Sequence, residues 1–169
     1  MTEPGDGGGA PPSSMGPRRR RPEPTPAQRA VALLTRREHS RKELQRKLEQ
    51  RGIAAVDAQA TVAQLDADGW QSDARFAESL LRCRAGSGYG PAYIRAELGM
   101  HGVPADLITA VLDAFDGDWV EVACGLLRRR STRPSCTDPA ARRKTAEFLL
   151  RRGFSMDQLR AALAMRRGE

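Results

Sequence analysis

The sequence predicts an all-α protein of three tandem three-helix repeats in an elongated, curved array. Three observations predict it. Apolar residues recur three or four positions apart, the spacing of one buried helix face. A leucine–glycine landmark recurs in register as Leu44, Leu48, Gly52 and Ile53, then Ile94, Leu98, Gly102 and Val103, then Thr145, Leu149, Gly153 and Phe154. Its glycines lie 50 and then 51 residues apart. A double leucine precedes each landmark: Leu33-Leu34, Leu80-Leu81 and Leu126-Leu127. Agreement at all these positions in three copies is an internal repeat. A unit of about fifty residues buries too little surface to stand alone, so the units are expected to lean on one another.

The elements follow in chain order. Residues 1–25 are rich in Gly, Pro and Ser and are expected to form a disordered basic tail, with Arg18 to Arg21 as a flexible arm. The first repeat, 26–69, opens at Pro26-Ala27 with Val31 and Leu34 facing inward. Its second helix starts at Ser40-Arg41-Lys42-Glu43, the spacing of a capping box. Glu43 and Lys47 are placed to pair one turn apart. Asp57 to Asp68 form the third helix, and Gly69 ends it. The second repeat, 70–117, has a helix from Asp73 with Ser72 as N-cap, carrying Phe76, Leu80 and Leu81. A helix from Pro91 carries Ile94 and Leu98. A helix from Pro104 carries Leu107, Ile108, Val111, Leu112 and Phe115. Both prolines are placed in a first helical turn, and Gly102 at a helix end with positive φ. The third repeat, 118–169, opens at Asp118-Trp119. Its first helix ends in Arg128 to Arg130, its second begins near Pro139, and its last runs from Ser155 to Met165 with Leu159 and Leu163 inward. Trp70 and Trp119 lie near repeat boundaries and are expected to glue neighbouring units.

Charge is unevenly spread. The chain carries 28 basic and 21 acidic residues, net +7. Residues 118–169 hold twelve Lys or Arg against six Asp or Glu, whereas residues 69–117 hold four against six. A basic end beside a slightly acidic centre favours extended contact with a polyanion or an acidic protein face. Three cysteines without paired spacing, Cys83, Cys124 and Cys136, point to a reducing cytosol, so a cytoplasmic protein is expected. No apolar run approaches the ~18 residues that span a bilayer, so no membrane partner is expected.

Reactive groups do not converge. His39 and His101 have no metal-ligand spacing around them and are expected at the surface or in satisfied turns. No Cys-x-x-Cys, serine nucleophile elbow or Walker motif is present. The segment Ala85 to Pro91 lacks the dinucleotide spacing, a following Lys-Ser or Lys-Thr and a preceding strand, so it reads as a flexible helix–helix turn. The expectation is a binding protein that is not an enzyme and uses no cofactor or metal.

The string Asp73 to Val103 resembles the signature of the RecX family of bacterial recombination regulators. The resemblance rests on Asp73, Phe76-Ala77, Arg82, the Gly-Tyr-Gly-Pro of Gly88 to Pro91, Ile94, Leu98 and Gly102-Val103. It extends over roughly 26–165, with Thr145 the weakest match. The family is built of three three-helix repeats. The resemblance implies binding to the RecA–DNA filament and inhibition of its extension, ATP hydrolysis and strand exchange, hence a role in homologous recombination, DNA repair and the SOS response. The expected partners are the RecA filament and DNA phosphates, and the expected state is a monomer. The alternative is a stand-alone DNA-binding regulator of helix-turn-helix-like units. What discriminates is a recognition helix with Arg, Asn or Gln set for base readout at its N-terminal end, and none is assigned.

The candidate contact residues follow from charge and from the family motif. In the second repeat they are Arg82, Arg84, Tyr89 and Arg95, on or around the central turn. In the third they are Arg128, Arg129 and Arg130, then Arg142, Arg143 and Lys144, then Arg151 and Arg152. Successive helical residues point about 100° apart, so no such trio can be wholly buried. In the first repeat they are Arg41, Lys42 and Arg46.

Overall fold

A computed structural model describes residues 23–130 and 139–168. The arm at Arg18 to Arg21 and the loop holding Arg133 and Cys136 lie outside the described residues. The described residues form nine helices and no strand: α1 Pro26–Leu34, α2 Arg41–Glu49, α3 Ala55–Ala67, α4 Asp73–Gly86, α5 Pro91–Met100, α6 Ala105–Asp113, α7 Trp119–Arg129, α8 Pro139–Arg151 and α9 Met156–Gly168. The closest helix pairings lie within units, with α1 and α2 on α3, α4 and α5 on α6, and α7 and α8 on α9.

Each unit has its own apolar core. The first gathers Ala30, Leu33, Leu44, Leu48 and Val62; the second Phe76, Leu81, Ile94, Leu98 and Leu112; the third Ala123, Leu127, Leu149, Phe154 and Leu159. Leu44, Leu48, Ile94, Leu98 and Leu149 are wholly excluded from water, which is why the landmark spacing survives in all three copies. In α1 the most buried side chains are Ala30 and Leu33, with the predicted Val31 and Leu34 half-buried at the core margin.

The landmark glycines share one local structure. Gly52, Gly102 and Gly153 have φ of 83°, 79° and 86°. The residue after each donates its backbone N–H to the carbonyl five residues back, as Ile53 to Leu48, Val103 to Leu98 and Phe154 to Leu149. This six-to-one bond closes a Schellman turn and aims the next helix back across the core.

Helix starts depart from expectation in instructive ways. Pro104 is the N-cap of α6 rather than its first residue. At Ser40 only half of the capping box forms: its Oγ accepts from Glu43 N–H at 3.1 Å, but the Glu43 carboxylate turns to Arg37 and His39. The charged Arg37 outcompetes a neutral backbone donor. The complete box lies at Thr25, whose Oγ1 accepts from Gln28 N–H at 3.2 Å while Gln28 Oε1 accepts from Thr25 N–H at 2.9 Å.

Two junctions join the units, and both use the same elements: the start of one unit's middle helix sits on the next unit's landmark turn. Between the first and second units, Lys42 Nζ donates to the Met100 carbonyl at 3.0 Å and Ser40 Oγ lies 3.4 Å from His101 Nδ1. Arg41 N–H donates to Asp73 Oδ1 at 2.9 Å, and Gln71 Nε2 donates to the His39 carbonyl at 3.2 Å. Between the second and third, Gly90 N–H donates to the Arg152 carbonyl at 2.7 Å and Ala92 N–H to the Gly153 carbonyl at 3.1 Å. The segment read as a flexible turn is thus fastened to the third unit. A Cβ on Gly90 would stand 2.5 Å from the Gly153 oxygen, so only glycine allows this approach.

Among the described residues, no preceding unit covers the landmark turn of the first unit. Arg29 serves instead, donating to the Arg51 carbonyl at 3.2 Å and to the Pro24 carbonyl at 3.1 Å.

The tryptophans separate. Trp119 packs on Phe115, with ring centroids 4.2 Å apart, and joins the second core while opening the third unit. Trp70 does not glue the units; 57% of its surface is exposed.

Candidate functional site

The predicted contact residues sort by what their side chains already hold. Arg84 is committed to Glu97 through two hydrogen bonds of 2.7 and 2.6 Å, and that carboxylate holds its guanidinium pKa above the usual arginine range. Arg41 pairs with Asp66, and Lys42 reaches Met100 across the first junction. Arg95 donates to Thr109 Oγ1 at 2.9 Å. Arg82 lies 3.8 Å from Glu78 and Arg128 lies 3.5 Å from Glu121, both at exposed positions where such pairs contribute little.

A second group is gathered at the junction of the second and third units. Arg152 stands 4.4 Å over the Tyr89 ring and 5.3 Å from that of Phe148, and donates to the Ser87 carbonyl at 3.5 Å. Tyr89 stacks on Tyr93 with centroids 4.2 Å apart. Arg130 lies 4.0 Å over the outer Phe148 ring, and Arg129 donates to the Gly86 carbonyl at 3.2 Å. The result is a ladder of alternating cations and aromatic faces. Phe148 was not predicted. Its one signal is its place beside the landmark Leu149, between Arg130 and Arg152 in sequence.

The third group is exposed. Among the described residues, the side chains of Arg46, Arg142, Lys144 and Arg151 make no hydrogen bond or ion pair to another residue. Arg143 pairs with Glu147 at 3.0 Å on the helix surface. The basic set of α8 does not form a single patch. At about 100° per residue, Lys144 and Arg151 share one helix face and Arg142 lies opposite. Arg142 and Arg143 instead face α9 across a groove that also touches Leu159, Arg160 and Leu163.

His101 lies in the turn after α5, as expected, whereas His39 is not at the surface. His39 is buried, with Nδ1 3.0 Å from Glu43 Oε2. Burial lowers the His39 pKa below its ordinary 6.5, and the adjoining Glu43 only partly offsets this. Burial alone would raise the Glu43 carboxyl, but the Arg37 guanidinium hydrogen-bonded to it and the adjoining His39 ring outweigh this and hold it below 4.5. Lys47 adds a weaker contact at 3.6 Å. His101 is half-buried and packs against Phe76 with the rings tilted by 59°, 4.9 Å between centroids. The His39–Glu43 spacing of one helical turn was the legible signal for this cluster. Among the described residues no group of His, Cys, Asp or Glu could hold a metal ion, and no helix is long and apolar enough to cross a membrane.

Known proteins agree with this architecture unit by unit. Models of the first, second and third three-helix domains of RecX match residues 28–65, 72–112 and 116–163. The chain is 57% identical over 146 residues to Regulatory protein RecX of Stenotrophomonas maltophilia strain R551-3, covering 86% of this chain and 90% of that one. It is 57% identical over 144 residues to Regulatory protein RecX of Xanthomonas axonopodis pv. citri strain 306, covering 85% and 89%. The crystal structure of RecX from Lactobacillus salivarius superposes with a TM-score of 0.70 at 23% identity, over 83% of this chain and 93% of that one. With three domain models in order and relatives matched over most of their length, the chain belongs to the RecX family of regulatory proteins.

Proposed function

We propose that this protein binds the RecA–DNA filament and inhibits its extension, ATPase and strand exchange. The observation that carries the reading is the repeated junction. At both joints the start of one unit's middle helix meets the next unit's landmark turn, and at the second joint α4 also packs on α7. A regular array can engage successive protomers of a helical polymer, and several weak contacts then add through effective concentration. Arg46 on the first unit and Lys144 and Arg151 on the third supply exposed, uncommitted cations at both ends of that array. They suit acidic protein surface or DNA phosphates. No nucleotide is required of the protein itself.

The test is inhibition of the DNA-dependent ATPase of RecA by substoichiometric amounts of the full chain. Inhibition is expected, weaker as salt rises because exposed charge contacts are screened. Reversal of Lys144 and Arg151 to glutamate is expected to weaken inhibition with the helical circular dichroism unchanged. Absence of inhibition by the parent chain overturns the reading. Unchanged inhibition by the variant removes these two residues from the interface.

A further inference from the structure

The third unit departs from the other two between its second and third helices. α2 and α5 each place a fully buried aliphatic residue at the first landmark position, Leu44 and Ile94. α8 has Thr145 there, half-buried, with its hydroxyl donating to the Ala141 carbonyl at 2.9 Å. On α9, Leu163 is only half-buried, whereas its counterparts Val62 and Leu112 are buried in their cores. Beside Leu163 an open groove of about 470 Å³ runs between α8 and α9, and Thr145 does not line it. Its floor is apolar, made by Ala146, Leu159 and Leu163, and its rim carries Arg142, Arg143 and Arg160.

We propose that this groove is a docking site for an acidic peptide segment that inserts a large apolar side chain between α8 and α9 and sets its carboxylates against Arg142, Arg143 and Arg160.

Two features select this occupant. The rim is cationic on both helices. Arg142 has no partner among the described residues, and the surface pairs Arg143–Glu147 and Arg160–Asp157, at 3.0 and 3.4 Å, are exposed and cheaply exchanged. Arginine suits carboxylates because its planar fork can bind both oxygens. The floor decides between an acidic peptide and a nucleic acid. It offers aliphatic surface and no aromatic ring on which a base could stack, whereas a leucine or phenylalanine would bury itself there. An apolar anchor inside a charged rim is the usual anatomy of a small recognition site. The groove lies on the opposite side of α8 from Lys144 and Arg151, so it is distinct from the surface assigned to the filament.

The test uses the full chain and no RecA, so its outcome is independent of the filament assay. The probe is a fluorescein-labelled peptide of Asp and Glu with Leu and Phe at helical spacing. Two controls are a polyglutamate peptide of equal charge and a single-stranded oligonucleotide. Saturable binding of the probe is expected, with polyglutamate at least roughly tenfold weaker and the oligonucleotide failing to displace it. Arg142→Glu with Arg160→Glu is expected to weaken the probe by about tenfold or more. Ala164→Trp, at an exposed groove-lining position outside the core, is expected to block it sterically while the helical signal is kept. The proposal is overturned if polyglutamate binds as tightly, if the oligonucleotide displaces the probe, or if Ala164→Trp leaves its affinity unchanged.

Discussion

The two junctions are built from the same pair of elements and held by different chemistry. The first is made by side chains: Lys42 on the Met100 carbonyl, Arg75 on Glu38 at 2.9 Å, Gln71 on the His39 carbonyl, and a buried His39–Glu43 pair behind them. The second is made by main chain in close approach, with Gly90 and Ala92 bonded directly to the carbonyls of Arg152 and Gly153 and Arg152 laid on Tyr89. Lys42 and Ala92 hold equivalent positions, ten residues before their own landmark glycines. One reaches the next turn with a long cation, the other with its backbone. A polar joint responds to pH and tolerates small steric changes. A main-chain joint should be indifferent to pH and intolerant of a single methyl group.

The strongest way to break this comparison is at the second joint. Gly153→Ala adds a Cβ that overlaps the Tyr93 backbone nitrogen and must also sit at φ 86°. Left-handed strain costs about 1–2 kcal/mol and overpacking about 1–3 more, so a loss of roughly 3 kcal/mol is expected in urea unfolding. Gly52→Ala isolates the conformational part, because φ is 83° but no atom lies within 4 Å of the added carbon. It is expected to cost about 1–2 kcal/mol. Equal losses at the two sites would show that close approach at Gly153 contributes nothing.

The same contrast explains what could be read from the sequence. Landmark leucines and glycines are dictated within one helix and its turn, so spacing alone reveals them. The joints are long-range. Nothing near Gly90 indicates that it touches Gly153, because the bonds there are made by backbone groups that every residue has. Trp70 and Trp119 have similar positions relative to the repeat, yet only Trp119 finds an aromatic partner in Phe115. The Ser40–Glu43 box was misread because Arg37 and His39, outside the motif, claim the carboxylate. Among the candidate contact residues, spacing identified the cations but not their tethers. Arg84 and Arg152 resemble Lys144 and Arg151 in the sequence, and only tertiary contacts separate a cation tied into the fold from one with no hydrogen bond or ion pair among the described residues.

Acid is expected to loosen the first joint with a smaller effect than the glycine change. His39 has a folded pKa below its ordinary 6.5, so below about pH 6.5 the unfolded chain takes up a proton that the folded chain resists. Stability is therefore present above that value and is lost as pH falls toward the folded pKa. Glu43, also lowered, adds a further loss below its ordinary 4.5. Hydrogen exchange of α2 and of the turn at Gly102 should lose protection relative to its intrinsic rate between about pH 7 and pH 5, while exchange at Gly90 and Ala92 follows only its intrinsic pH dependence. His39→Asn should flatten the upper part of that response. Equal acid sensitivity at both joints would contradict the division drawn here.

The smallest expected effect sharpens the comparison at a single pair of equivalent residues. Lys42→Met keeps an unbranched stem across the Gly102 turn, where the lysine Cδ lies 3.4 Å from the position a Cβ would take, and removes the ammonium that bonds the Met100 carbonyl. That carbonyl lies at an exposed helix end, so water can replace the donor, and the loss is expected to be about 0.5–1 kcal/mol. Ala92 permits no corresponding change, because its contribution is a backbone N–H that only proline would delete. Ala92→Pro, at the second residue of α5, removes the bond to the Gly153 carbonyl and also disfavours the helical backbone of Pro91 before it. If the main chain carries the second joint, Ala92→Pro costs clearly more than Lys42→Met in the same urea series. If the two are equal, the direct bond to Gly153 is no stronger a tie than an exposed lysine.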